Sequence, residues 1–89
     1  MIKIASIKAL ASYRLDLVFS DGSRGTVDLS SLVTRVGEMV QPLRDPAYFA
    51  RVFLEAGAPT WPNGFDLAPW ALHRELDAAG LLDKSGQLA

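Results

Sequence analysis

Residues 13 to 29 carry the pattern that most restricts the fold. Tyr13, Leu15, Leu17 and Phe19 recur at period two, so one face of an extended strand is apolar. Ser20-Asp21-Gly22-Ser23 then supplies turn residues, and Gly25-Thr26-Val27-Asp28-Leu29 continues as a second extended run. The register follows from the apolar face. A two-residue Asp-Gly loop sets Leu17 against Thr26 and Leu15 against Asp28, which mixes the faces. A three-residue loop with Gly22 left-handed sets Leu17 against Gly25, Leu15 against Val27 and Tyr13 against Leu29. Only the second arrangement keeps one face apolar, so it is the expected one. It also places Arg14 opposite Asp28 and Asp16 opposite Thr26 on the solvated face.

The flanking segments add to this hairpin. Ile2, Ile4, Ile7 and Ala9 mark a first strand whose phase changes at Ser6, which predicts a bulge, and Ala11-Ser12 turns the chain. Leu29, Leu32, Val33 and Val36 have helical spacing, with Asp28 or Ser30 as a cap and Gly37 as a stop. Glu38 to Arg44 is expected as a loop. Asp45-Pro46 is a helix start, with Asp as N-cap and Pro at the first helical position. Val52 to Glu55 reads as a strand, Ala56 to Pro59 as its turn, and Thr60-Trp61 as the return. Pro62-Asn63-Gly64 is another turn. A last helix begins at Asp66 or Ala68, buries Leu72, Leu76 and Ala79, and ends at Gly80. Leu81-Leu82 are expected to fold back on the core. The fold class is therefore α+β, small antiparallel β-hairpins packed with two or three short helices. Residues 2–82 form one domain, and 83–89 a disordered C-terminal tail.

Several functional classes drop out. Nine basic and ten acidic residues are spread along 89 positions, giving a net charge of −1. Without clustered Lys and Arg, direct nucleic-acid binding is disfavoured. The chain has no cysteine, which excludes disulfides, thiolate metal sites and Cys nucleophiles. No signal peptide or membrane span is visible, and the expected compartment is the cytoplasm. Apolar residues make up 49%, a high share for a small domain to hide. Another small protein or a second copy of the chain is expected to cover some of that surface.

Trp61-Pro62-Asn63-Gly64-Phe65-Asp66 is the best place to look for a site. A Trp left partly exposed beside Asn63 and Asp66, at Trp61 or Trp70, would suit an interface anchor or a small pocket. Asp66 equally suits a helix cap. Asp21 reads as turn chemistry. The single histidine, His73, pairs on helical spacing with Asp77 and lacks the companions of a metal or acid–base site. The serines fit turns and caps. No catalytic, cofactor-binding or metal-binding residue is assigned.

Several elements occur together in order: Leu15-Asp16-Leu17-Val18-Phe19-Ser20-Asp21-Gly22, Gly25-Thr26-Val27-Asp28-Leu29-Ser30, Pro42-Leu43-Arg44-Asp45 with Phe49, and Trp61 to Pro69. In these the chain resembles the bacterial domain-of-unknown-function family 2442, and is similar to the small N-terminal domain of a nitrifier protein of unknown function. The resemblance covers about residues 2–80. It implies a cytoplasmic protein with no assigned activity, in a family whose members are often encoded beside another small domain in toxin–antitoxin-like pairs. It maps marker positions without roles: Asp21, Gly22, Asp28, Trp61, Asn63, Gly64 and Asp66. Some relatives carry an added DNA-binding domain, for which this chain is expected to be too short. The resulting expectation is a non-enzymatic protein-binding module, the antitoxin-like or accessory member of a two-gene pair. The alternatives are a small-ligand binder or enzyme with a pocket near Trp61, Asn63, Asp66 and His73, and an accessory nucleic-acid-associated protein.

Overall fold

A computed structural model describes residues 1–87. Three strands, β1 (Ile4–Leu10), β2 (Arg14–Phe19) and β3 (Arg24–Asp28), form an antiparallel sheet in the order β1-β2-β3. β2 and β3 take the expected register: Leu15 opposes Val27, Leu17 opposes Gly25, Arg14 opposes Asp28 and Asp16 opposes Thr26. The Phe19 N–H donates to the Ser23 carbonyl, the Gly22 N–H donates to the Phe19 carbonyl, and Gly22 sits at φ +87°. That is the three-residue loop with a left-handed glycine. Arg14 and Asp28 face each other without an ion pair, and the Arg14 guanidinium donates instead to the Ala11 carbonyl. The β1–β2 register slips between Ile4 and Ser6, the expected bulge.

The sheet is apolar on one side only. Ile4, Leu15, Leu17, Phe19 and Val27 are buried beneath Leu29, Val33, Leu43, Phe49, Trp61, Leu72 and Leu76. Each aliphatic side chain taken fully out of water contributes about 1.5–3 kcal/mol. The covering layer begins with helix α1 (Pro46–Phe49), where the Asp45 carboxylate accepts from the Ala47 N–H as anticipated. Then come a second hairpin of β4 (Phe53–Glu55) and β5 (Ala58–Thr60), and helix α2 (Pro69–Ala78). Gly25 has no side chain where α2 crosses β3, and a Cβ there would lie 3.1 Å from a Leu76 methyl. The Gly80 and Leu81 N–H groups close onto the Asp77 and Leu76 carbonyls with Gly80 left-handed, which ends α2 in a Schellman motif. Among the described residues, no helix is long and apolar enough to cross a membrane.

The departures have local causes. The helix expected over Leu29–Val36 shrinks to one 3-10 turn, Leu32–Thr34. Leu29 and Val33 are buried, but Val36 is fully exposed. Arg44 donates to the Val33 and Arg35 carbonyls, and the Val33 carbonyl is one that a continuing helix would have used itself. The loop at Glu38–Arg44 contains a second 3-10 turn, Gln41–Arg44. The β4–β5 connection is shorter than Ala56–Pro59: only Ala56 and Gly57 turn, both with positive φ. Asp66 caps nothing. α2 has Ala68 at its N-cap with no side-chain cap bond, while exposed Asp66 pairs through its backbone with Thr60. Ala79 is exposed rather than inner, and of Leu81-Leu82 only Leu82 packs on the core. In the stretch expected as a tail, Asp83 and Arg24 exchange backbone hydrogen bonds and the Gln87 amide reaches Asp21. Leu88 and Ala89 lie outside the described residues.

Candidate functional site

The residues singled out around Trp61 do not converge. Trp61 is fully buried, and its indole N–H donates to the Phe49 carbonyl at 3.0 Å. Its ring lies between Phe49 and Phe65, with centroids 5.7 and 5.8 Å away. Asn63 binds its own loop down: its amide donates to the Met39 carbonyl, its amide oxygen accepts from the Phe65 N–H, and its backbone N–H donates to the Tyr48 hydroxyl. Gly64, at φ +90°, closes the turn by donating to the Trp61 carbonyl. Asp66 is exposed and His73 bonds elsewhere, and among the described residues neither the hollow beside Asp28 nor that beside Ala9 is lined by Trp61, Asn63, Asp66 or His73. Trp70 is the exposed tryptophan, with the Arg74 guanidinium 5.0 Å over its ring. Asp28 accepts from the Ser30 N–H in an Asx turn. It borders a hollow of about 220 Å³ that also meets Arg35 and Glu75.

Asp21 forms a polar cluster. Its carboxylate accepts from the Ser23 N–H and hydroxyl, from His73 Nε2 at 3.0 Å and from the Gln87 amide at 2.8 Å. The Nε2-protonated tautomer is the one these contacts imply. Partial burial pushes the Asp21 carboxyl up. The Ser23 bonds, followed by those from His73 and Gln87, outweigh it, and the group is held well below the usual carboxylate range. His73 does not pair with Asp77, as helical spacing suggested, because Lys84 takes Asp77 at 2.9 Å. Ser23 is buried and donates to the same carboxylate as the imidazole. Among the described residues the imidazole is hydrogen-bonded to Asp21 and to no nucleophile, and the cluster works as a clasp between the β2–β3 turn and α2. The clasp pairs residues 52 positions apart, beyond the reach of local spacing.

A further, apolar concavity lies at the other end of β1. Ala9 to Tyr13 form one wall, and Pro46, Phe49 and Ala50 the other, around a hollow of about 390 Å³. No ionisable side chain other than Tyr13 lines it, and its volume falls within the range of ligand and anchor pockets. Small side chains create it: Ala9 stands where the strand could have carried a larger residue, Ala11 opens the turn after β1, and Ala50 ends α1. The backbone at its rim is strained. Ser12 and Tyr13 hold φ of +64° and +58°, each costing roughly 1–2 kcal/mol for a residue with a Cβ. The return is a fixed Tyr13, whose hydroxyl donates to the Arg44 carbonyl and whose ring meets Phe49 edge-on at 5.5 Å.

Beside this hollow β1 has an edge without a strand partner among the described residues, although β4 and β5 lie near part of it. Ile4 donates its N–H to the Gly57 carbonyl, which ties the start of the strand to the β4–β5 turn. Beyond the bulge, Ser6 to Leu10 pair with β2 on one side. Among the described residues, nothing pairs with them on the other. Sequence reasoning found the strand but not its position at the edge, because pairing order is a property of the whole chain.

The chain belongs to a family described as "Protein of unknown function (DUF2442)", whose model matches residues 4–78. It is also similar to the crystal structure of "Putative DNA Binding Protein NE0471 from Nitrosomonas europaea ATCC 19718". The two are 31% identical with a TM-score of 0.61 over 71% of this chain, which spans 41% of that protein's length. No curated protein matches it.

Proposed function

We propose that this chain is a cytoplasmic partner-binding module, the antitoxin-like or accessory member of a two-protein pair, and that it carries no catalytic role. One observation carries the reading: the open edge of β1 runs directly beside the apolar hollow between Ala9–Tyr13 and α1. An unpaired strand edge offers backbone donors and acceptors, and a neighbouring hollow can take an apolar anchor. The exposed apolar side chains Met39, Phe53, Trp70 and Leu81 give further support. The test is calorimetric titration with the product of the adjacent gene. Micromolar association is expected, weakened at least tenfold by Ala9→Trp, which fills the hollow. A monomeric chain that ignores that product, or an Ala9→Trp variant that binds it equally well, would overturn the reading.

The name of the Nitrosomonas protein favours a second reading, an accessory role in a nucleic-acid assembly. The outer face of the sheet bears Lys8, Arg14 and Arg24 among Asp16 and Asp28, a mixed charge that suits attachment through a partner better than direct phosphate contact. Duplex binding by the isolated chain at physiological salt, measured by fluorescence anisotropy, would favour direct contact instead.

A further inference from the structure

We infer that the occupant of the β1 edge is an extended strand from a different protein, alternating acidic and apolar side chains, and not a second copy of this chain. The inference rests on the reading above and specifies its partner.

The first argument is symmetry. Two copies joining antiparallel through β1 would be related by a twofold axis. The regular open stretch is Ser6–Leu10, since the β4–β5 turn holds Ile4. Pairing its full length puts the axis on Lys8, and each Lys8 then faces its own mate. Like charges directly opposed across strands are destabilising, and a lysine on an edge strand is a recognised guard against self-pairing. Moving the axis to Ile7 or Ala9 leaves only three residues of the stretch paired. The edge is thus guarded against its own copy, while Ser6–Leu10 have no strand partner on that side among the described residues.

The second argument is charge. Lys8 is exposed, and no salt bridge joins it to Asp16 across β2. Arg14 donates to the carbonyl of Ala11, which lines the hollow. No carboxylate lines the hollow. A strand laid along β1 has one face level with Lys8, where an acidic side chain would be met. Its other face is level with half-buried Ile7 and Ala9, beside the hollow, where an apolar one would be covered.

The experiment uses random decapeptides displayed on phage, selected on the immobilised full chain. The best peptide is then synthesised and titrated against the wild type, Lys8→Glu, Lys8→Ala and Ala9→Trp. Selected sequences should alternate acidic and apolar residues and shift the amide resonances of Ser6–Leu10. Lys8→Glu should weaken binding at least tenfold, and Lys8→Ala by less. Failure to select any peptide, a selected set without acidic preference, or equal affinity for Lys8→Glu would overturn the inference. So would dimerisation of the wild type through β1 in sedimentation. If Ala9→Trp still abolishes binding of the adjacent gene product, the partner-binding reading survives that failure. If Ala9→Trp leaves that binding intact, both fall.

Discussion

Asp21 and His73 are separated by 52 positions in the chain and joined by a 3.0 Å hydrogen bond that fastens the β2–β3 turn to α2. Phe19 braces the imidazole edge-on at 4.9 Å. The same carboxylate accepts two bonds from Ser23 within the turn and one from the Gln87 amide, so one group with four donors gathers the turn, α2 and the C-terminal stretch.

This carboxylate makes stability depend on pH in a definite direction. The folded Asp21 carboxyl is held below its ordinary value, while the unfolded chain has a value of about 3.9. Its contribution is therefore fully present above about pH 4 and is lost as the pH falls further, because the unfolded state then binds the proton more readily. Asp28 and Asp83, each lowered chiefly by bonds from Ser30 and Ser85, act in the same direction. Urea unfolding at pH 7 and pH 3 should show a loss of stability in acid. Asp21→Asn should cost about 1–2 kcal/mol at pH 7 and less at pH 3, where the folded carboxyl is still ionised but the unfolded one is mostly protonated. An equal cost at both values would mean that the carboxylate's charge is irrelevant to the clasp.

Two turns share one construction, and their glycines should respond differently. Phe19 to Ser23 and Trp61 to Phe65 both close three-residue loops, with Asp21 or Asn63 accepting from the N–H two residues on. Gly22 and Gly64 both sit near φ +90°, so alanine costs about 1 kcal/mol in either for the backbone alone. At Gly22 a Cβ would also lie 2.2 Å from the Gly86 carbonyl oxygen, whereas at Gly64 the nearest atom is a Met39 methyl at 3.9 Å. Gly22→Ala should be the more damaging in chemical denaturation. Truncation after Lys84 should bring the two costs together.

The same comparison shows what was legible in the chain. The Asp21-Gly22 loop and the β2–β3 register follow from local chemistry and an apolar face, so they could be read directly. The Leu29–Val36 helix could not, because it is undone by Arg44, a distant side chain that takes its carbonyls. Spacing also misassigned the partner of His73, since the true one comes from another element. The Trp61 loop was located correctly as a turn, but its side chains proved to be packing and staples. The hollow and the open edge depend on strand order and on small residues leaving space, and neither leaves a periodic trace.

Trp61 and Trp70 offer a spectroscopic check. Trp61 is fully buried, and Trp70 is 55% exposed. Trp70→Phe should leave a blue-shifted emission that iodide barely quenches, and Trp61→Phe a red-shifted one that it quenches readily. Trp61→Phe should also cost about 1–3 kcal/mol, through lost packing and the loss of one of the two hydrogen bonds to the Phe49 carbonyl, while Trp70→Phe stays within about 0.5 kcal/mol.

Ser12 and Tyr13 share a strained backbone but should not respond alike. Glycine adopts a φ of +64° without the Cβ penalty, so Ser12→Gly should stabilise the fold by up to about 1 kcal/mol, reduced by the greater freedom of glycine when unfolded. Tyr13→Gly relieves the same strain at φ +58° but removes the ring packed on Phe49 and the hydroxyl bonded to the Arg44 carbonyl. It should therefore destabilise by about 2–4 kcal/mol, as truncation of a packed aromatic does. Tyr13→Phe separates the two losses: it keeps the ring and should cost about 1 kcal/mol, the value of one hydrogen bond. Thermal denaturation of the three variants should rank Ser12→Gly highest and Tyr13→Gly lowest. A stabilised Tyr13→Gly would show that the strain at the rim of the hollow outweighs what the ring holds in place.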